Sequence, residues 1–356
     1  MRLSELQVRG FRVLREVSLA LAPGLNLVVG PNAAGKTSLL EAVHVLARGR
    51  SFRTPSLDEA VRREASGLLV RGQVEEDGHR EWLGLVRSGG VTEVRAGPAR
   101  GRGASLLAGR LRVTVIHAGT VALVEGPPAE RRQLVDWGVF HVEPGHLQAW
   151  RRYRRALRQY NALLRQGAAP RELRPWRLAL AAAGEALDAA RQRWLSRWQT
   201  VLGEVLTSLG PLPPLRVGCQ RGWARGRGLA DALEEAQAAE RQLGFCRTGP
   251  HAMELRLTVD GQPARRVLSR GQQKLVALGM AVAAARVAAE MARPALLLVD
   301  DLPAELDPGR RIQAARLLAD TGSQVIATAV EAGAFPMAFW PSARLFHVER
   351  GDVRPA

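Results

Sequence analysis

Lysine is almost missing from this chain: only Lys36 and Lys274 stand among its 51 basic residues, the rest being arginine. Such a bias reflects a GC-rich coding sequence, and it makes a retained lysine informative, because a compact ammonium is kept where a planar guanidinium cannot replace it. Cysteine is scarce too. Cys219 and Cys246 are too few for a disulfide framework and lack metal-ligand spacing, so both read as reduced thiols and no zinc site is expected. Acidic residues number 34 against the 51 basic ones, a formal charge of +17. No apolar run approaches the roughly 18 residues of a membrane span. The start, Met1-Arg2-Leu3-Ser4-Glu5, lacks the apolar core of a signal peptide, so a cytoplasmic protein with no membrane partner is expected.

What is present is 356 residues with 46% hydrophobic content, enough for one large or two ordinary domains. The charge excess points to a polyanionic partner, nucleic acid before an acidic membrane surface. The most informative stretch is Gly30-Pro31-Asn32-Ala33-Ala34-Gly35-Lys36-Thr37-Ser38, which reads G-x-x-x-x-G-K-[ST]. An apolar run at 25–29 leads in and a helix-forming segment at 37–47 leads out. The glycines permit a tight loop whose backbone N–H groups surround a polyphosphate. Lys36 reaches the β and γ phosphates of ATP, the Thr37 hydroxyl holds Mg²⁺, and the helix N-terminus adds partial positive charge.

Around this loop, 3–8 and 17–21 alternate as strands, with Gly10-Phe11-Arg12 as an interruption and Pro23-Gly24 as a turn. Short β-like runs follow at 68–70, 82–86 and 113–116, and the Gly/Arg-rich stretch 97–109 reads as a mobile loop. Helical patterns occupy 148–165, 178–209 and 229–243, broken at 167–175 and 210–214. Alternation resumes at 253–259, where Asp260-Gly261 supplies a hairpin turn. An α/β fold is expected, with parts at 1–118 and 246–356 and an inserted, mainly helical lobe at 119–245.

Residues 295–299 are uniformly apolar, as a strand covered on both faces should be, and they end in Asp300-Asp301. Ligands bind at the carboxyl ends of such strands. Asp300 is placed to hold Mg²⁺, and Asp301 to orient or deprotonate the attacking water. Upstream, Leu268-Ser269-Arg270-Gly271-Gln272 opens an alanine-rich helix, with Ser269 a plausible N-cap.

In combination these motifs resemble the ABC-type ATPase head. The resemblance implies that Ser269, Gly271 and Gln272 contact the γ phosphate held by a second copy, that Asp307 in Ala304-Glu305-Leu306-Asp307 faces the opposing P-loop, and that ATP closes a homodimer. Lys36, Asp301 and Ser269 are then the catalytic set. More closely, the chain resembles the RecF family. The matching residues are Phe11-Arg12, Gly49-Arg50-Ser51-Phe52-Arg53, the segment from Gly126 through Arg131-Arg132 to Asp136, Gly249-Pro250-His251, Ser269 in its motif, and Asp300-Asp301 with Arg311 following. That resemblance implies binding to double-stranded DNA near gaps, slow ATP hydrolysis that drives release, and RecR and RecO as partners in loading RecA.

Ala118-Gly119 stands where the family usually has Pro-Glu or Pro-Asp, and Leu134 where an aromatic is usual. Asp301 replaces the glutamate of most transport ATPases, and Thr328 stands near the place of their switch histidine. A shorter carboxylate arm implies slow turnover. Other readings stay open: an ATPase subunit of a transporter, an SMC or Rad50-like protein, for which the insert is short and interrupted, or an ATP-gated DNA scaffold that does not hydrolyse. Trp150-Arg151-Arg152-Tyr153-Arg154-Arg155 fits either a phosphate-gripping helix or a solvated basic one with its aromatics in a core. Arg131 and Arg132 read as structural ties or DNA contacts, and His251 as a turn residue or a functional one.

Overall fold

A computed structural model describes residues 1–143, 145–291, 293–302 and 306–356, which gather into two compact units. The first comprises 1–121, 205–211 and 274–356, the second 122–204 and 212–273. Residues 246–273, assigned above to the head, thus count with the second unit.

The first unit holds two six-stranded sheets. One is antiparallel and contains β1 (Arg2–Phe11), β2 (Leu14–Ala20), β4 (Gly67–Glu76), β5 (His79–Ser88), β6 (Val91–Ala96) and β7 (Ala99–Gly101), in the order β2-β1-β4-β5-β6-β7. The other contains β3 (Leu25–Val29), β8 (Val113–Ile116), β12 (Leu296–Val299), β13 (Val325–Ala329), β14 (Ala343–Glu349) and β15 (Asp352–Pro355), in the order β15-β14-β3-β13-β12-β8. Four of its five strand pairings are parallel and the edge pair β14–β15 is antiparallel. β3, β12 and β13 are buried at every position; β12 is apolar throughout, while the other two each carry one buried polar side chain, Asn26 and Thr328, that is hydrogen-bonded. The helix α1 (Lys36–Arg48) is buried almost all round, and its Leu39, Leu40, Val43 and Leu46 share one core with Leu6, Val70 and Leu85 of one sheet and Val28, Leu298 and Ile326 of the other. Gln324, at the entry to β13, joins the sheets: its side-chain amide donates to the carbonyls of Leu3 and Ala22 and accepts from Leu3 N–H at 2.7 Å.

The second unit carries α2 (Ala122–Glu125), α3 (Pro128–Val142), α4 (His146–Arg165), most of α5 (Pro170–Ser208), α6 (Leu229–Leu243), α7 (Ala264–Val267) and the first turn of α8 (Arg270–Glu290). It also has a three-stranded sheet, β11 (Gln262–Pro263), β10 (Glu254–Val259) and β9 (Leu215–Gln220). The last described α-helix of the chain, α9 (Pro308–Asp320), belongs to the first unit. The Asp260-Gly261 hairpin forms with both residues at positive φ, 49° and 79°, as a two-residue turn of this hand requires.

Four local expectations change. β1 does not stop at Gly10 but runs through Phe11, because Phe11 pairs with Leu14 and is itself fully buried. The 97–109 stretch is not a loose loop: β7 pairs with β6, a 3₁₀ turn follows at Ala104–Leu106, and Leu107 is buried. The helix read from 178 begins at Pro170 and continues through Pro175, which lies within two turns of its start and forfeits a single backbone hydrogen bond. Finally, β9 lies within a region read as helical, held there by antiparallel pairing with β10.

Arg131 and Arg132 act as ties inside this unit. Arg131 pairs with Glu254 at 2.9 Å and donates to the Leu123 and Gly126 carbonyls; Arg132 donates to the Met253 carbonyl at 2.8 Å. His251 is held by Tyr153 Oη on one ring nitrogen (2.6 Å) and the Cys246 carbonyl on the other (3.0 Å). On α4, Tyr153 is buried and Trp150 packs against the same core, while Arg151, Arg152, Arg154 and Arg155 are exposed.

Candidate nucleotide site

The strand order builds the site. Because β13 lies between β3 and β12, the P-loop leaving β3 and the acids leaving β12 flank the end of β13. There the fully buried Thr328 lies one residue beyond the partner of Val299, level with Asp300. Its hydroxyl donates to Asp300 Oδ1 at 2.8 Å and accepts the Asp301 N–H at 2.9 Å. Across β13, Thr37 Oγ1 donates to the Asp300 carboxylate at 2.9 and 3.0 Å. One carboxylate is thus gripped by two hydroxyls from two separate elements. Thr37 and Asp300 together present hard oxygen donors of the kind that Mg²⁺ takes.

The loop itself is sterically determined. Gly30 is obligatory, since a Cβ there would overlap the Val348 carbonyl. Gly35 takes φ 121° and Ala33 φ 64°, which turn the backbone ahead of α1. The loop is pinned by Gly351 N–H to the Ala34 carbonyl at 2.9 Å. Pro31 and Asn32 form its outer curve, and Ser38 is buried in the first turn of α1. Lys36 Nζ donates to the Gly30 and Pro31 carbonyls at 2.7 and 3.0 Å, folding the ammonium back over the loop. A guanidinium cannot reproduce that compact geometry. Lys36→Arg is therefore expected to lower phosphate release roughly 10- to 100-fold, measured by a coupled assay under saturating ATP; unchanged turnover would refute the role.

Ser269, Gly271 and Gln272 lie in the second unit, at the start of α8. Ser269 N–H donates to Gln272 Oε1 at 2.9 Å and Gln272 N–H to Ser269 Oγ at 3.3 Å, a reciprocal cap that leaves Ser269 exposed. Asp307 caps α9, accepting the Arg310 N–H at 3.1 Å, and is also exposed. Arg311 closes the same turn by donating to the Leu306 carbonyl at 2.8 Å. Ala304 and Glu305 lie outside the described residues. Asp301 takes φ 49°, an uncommon conformation for a residue with a side chain.

Sequence reading left one supporting cluster unassigned. The Glu41 side chain, fully buried in α1, pairs with Arg12 at 2.8 Å and Arg53 at 3.3 Å and accepts the Ser51 hydroxyl at 2.6 Å. Phe11-Arg12 and 49–53 thus converge on one carboxylate. Gly49 ends α1 in the left-handed conformation, φ 65°, and His44 Nδ1 lies 2.8 Å from the Arg50 carbonyl. Phe52 then sits between His44, which it meets edge-on at 5.3 Å between ring centres, and His117, whose ring is tilted against it at 5.4 Å. His117 follows β8 directly beside the β12 end, and its Nδ1 accepts the Gly119 N–H at 3.2 Å. A carboxylate at a helix interior followed by Arg-Ser-Phe-Arg was the available signal for this cluster.

Burial, and after it the Arg48 charge, push the His44 imidazole down to about 4. Folding therefore keeps the ring neutral while the unfolded chain accepts a proton near pH 6.5. The associated stability is present above that pH and is lost as pH falls towards 4. The loss is on the order of 3 kcal/mol, and His44→Asn should remove it, as read by urea unfolding at about pH 7 and about pH 4.5. An identical pH slope in the variant would contradict the assignment.

The parallel sheet, the P-loop after β3 and the acidic end of β12 define an ATPase head of the ABC type. Residues 5–77 match the model of the AAA domain family. Over 99% of both chains, the protein is 40% identical to the DNA replication and repair protein RecF of Thioalkalivibrio sulfidiphilus and, across 360 aligned residues, 40% identical to that of Chromohalobacter salexigens. Among solved structures, the recombination mediator protein RecF with ATPrS superposes with a TM-score of 0.86 at 22% identity, covering 99% of this chain and 98% of that one. An SMC head bound to the C-terminal winged-helix domain of ScpA gives 0.64 at 15% identity, covering 100% and 97%. The chain belongs to the RecF family of DNA replication and repair proteins. Among the described residues no helix is long and apolar enough to cross a membrane.

Proposed function

We propose that this protein is an ATP-gated DNA clamp. Two copies close over ATP, hold double-stranded DNA beside a single-strand gap, and release it after slow hydrolysis. The observation that carries this reading is the Thr37–Asp300–Thr328 grip, at 2.8–3.0 Å, at the mouth of the P-loop. When bound, Mg²⁺ would supply charge neutralisation to the β and γ phosphates at Thr37 and Asp300. Lys36 binds the same phosphates, Asp301 orients or deprotonates the attacking water, and Thr328 fixes the backbone of Asp301 and one oxygen of Asp300. Ser269, Gly271 and Asp307 are exposed and Gln272 is half-buried at the helix starts, which supports a role for them in meeting a second copy's nucleotide. RecR and RecO are the partners inferred from family membership, acting together to load RecA.

A net charge of +17 supports a polyphosphate track on the surface. Duplex binding, measured by anisotropy with ATP and Mg²⁺, should weaken by about 10³-fold or more between roughly 50 and 200 mM salt if six or more phosphates are contacted. A flat salt dependence would mean that charge is not what holds the DNA.

A further inference from the structure

The antiparallel sheet of the first unit buries one face, with Leu68, Val70, Leu83, Leu85, Val94 and Ala96, and opens the other to solvent. On that open face Arg71, Gly84, Arg95 and Arg100 stand opposite one another in a single row across β4, β5, β6 and β7. The row spans three inter-strand spacings, about 14 Å. Trp82, two residues before Gly84 on β5, shares the face, and Arg71 Cζ lies 4.3 Å from the centre of its indole ring. With Arg102 at one end, these residues line a concavity of about 840 Å³ together with Leu69, Val86 and one carboxylate, Glu93, which stands opposite Val86.

Two features separate this face from an ordinary basic surface. Elsewhere around the same sheet the arginines are paired: Arg2 with Glu75, Arg87 with Asp58, Arg110 with Glu81. Among the described residues, Arg71, Arg95, Arg100 and Arg102 form no ion pair, and Arg95 stands directly opposite Arg100, where like charges oppose folding. The second feature is Gly84. A Cβ there would come no nearer than 3.8 Å to Arg71 and 3.9 Å to Arg95, so the fold has room for a side chain and the sequence leaves a slot.

We infer that this face binds single-stranded nucleic acid. Phosphates lie along the arginine row, and a base enters the slot at Gly84 against the Arg71–Trp82 pair. A duplex offers a side chain only base edges in its grooves, whereas a flat slot beside an indole and a guanidinium suits an unstacked base. The inference rests on the DNA-binding reading above and adds which strand of a gapped substrate meets this sheet.

The test compares a labelled oligothymidylate about 12 nucleotides long with a duplex, for the full-length protein and for Gly84→Val, Trp82→Ala and the pair Arg95→Glu/Arg100→Glu. Gly84→Val places a β-branched residue where there is space in a strand, so it should fold at least as well as the parent. Each variant should lose about 10-fold or more in oligothymidylate affinity while duplex affinity and ATP turnover stay as in the parent. Unchanged oligothymidylate binding in Gly84→Val and in the arginine pair overturns the inference. So does an equal loss on both DNA forms, which would mark a general phosphate surface. An acidic peptide that binds the parent more tightly than the oligonucleotide and is lost in the same variants would mark a protein site, also overturning it. If the parent binds neither DNA form, the DNA-binding reading itself has failed.

Discussion

Asp301→Asn should bind ATP as the parent does and release phosphate about 10²- to 10⁴-fold more slowly. The change removes a carboxylate and leaves shape and backbone alone. Asp301 holds φ 49°, a conformation asparagine adopts more readily than most residues, and its N–H bond to Thr328 is made by the main chain. A loss of turnover therefore reports chemistry and not unfolding, which nucleotide affinity checks on the same sample. Steady turnover in the variant would remove Asp301 from the reaction. A parent that binds ATP yet releases no phosphate would instead favour a non-hydrolysing scaffold.

Ser269→Arg is the second large effect. Ser269 is exposed at the head of α8, and its hydroxyl contributes one capping bond, worth about 1 kcal/mol, so the chain should still fold and a single copy should still bind nucleotide. A bulky cation at a packed two-copy interface should raise the dimer dissociation constant roughly 100-fold. Light scattering with ATP and Mg²⁺ would then see monomer. A dimer of parental stability would mean that Ser269 does not face a partner.

The parts of this protein that could be read in its sequence are those in which neighbouring residues do the work. The P-loop, the apolar β3 and β12, the Asp300-Asp301 strand end and the Asp260-Gly261 turn each carry their signal within ten residues or so. What escaped depends on residues distant in the chain. Thr328 is a buried hydroxyl in an apolar strand until the order β3-β13-β12 places it beside Asp300. Glu41 looks like one polar residue on a helix until Arg12 and Arg53 arrive from either side. β9 alternates Leu215, Val217 and Cys219 with Arg216, Gly218 and Gln220, but becomes a strand through β10, more than thirty residues on. β7 is Ala-Arg-Gly, poor strand material held by its pairing with β6. The role of Asp301 was suggested by position, but its left-handed backbone was not, since aspartate, though commoner there than most side chains, adopts ordinary conformations far more often.

The account turns on a nucleotide-dependent second copy, and molar mass in solution tests that most directly. Mass should be that of one 38.6 kDa chain without nucleotide and should double with ATP and Mg²⁺, more completely when duplex DNA is added. A protein that stays monomeric in every mixture would contradict the clamp and leave a basic P-loop protein whose signature segment has no partner to meet.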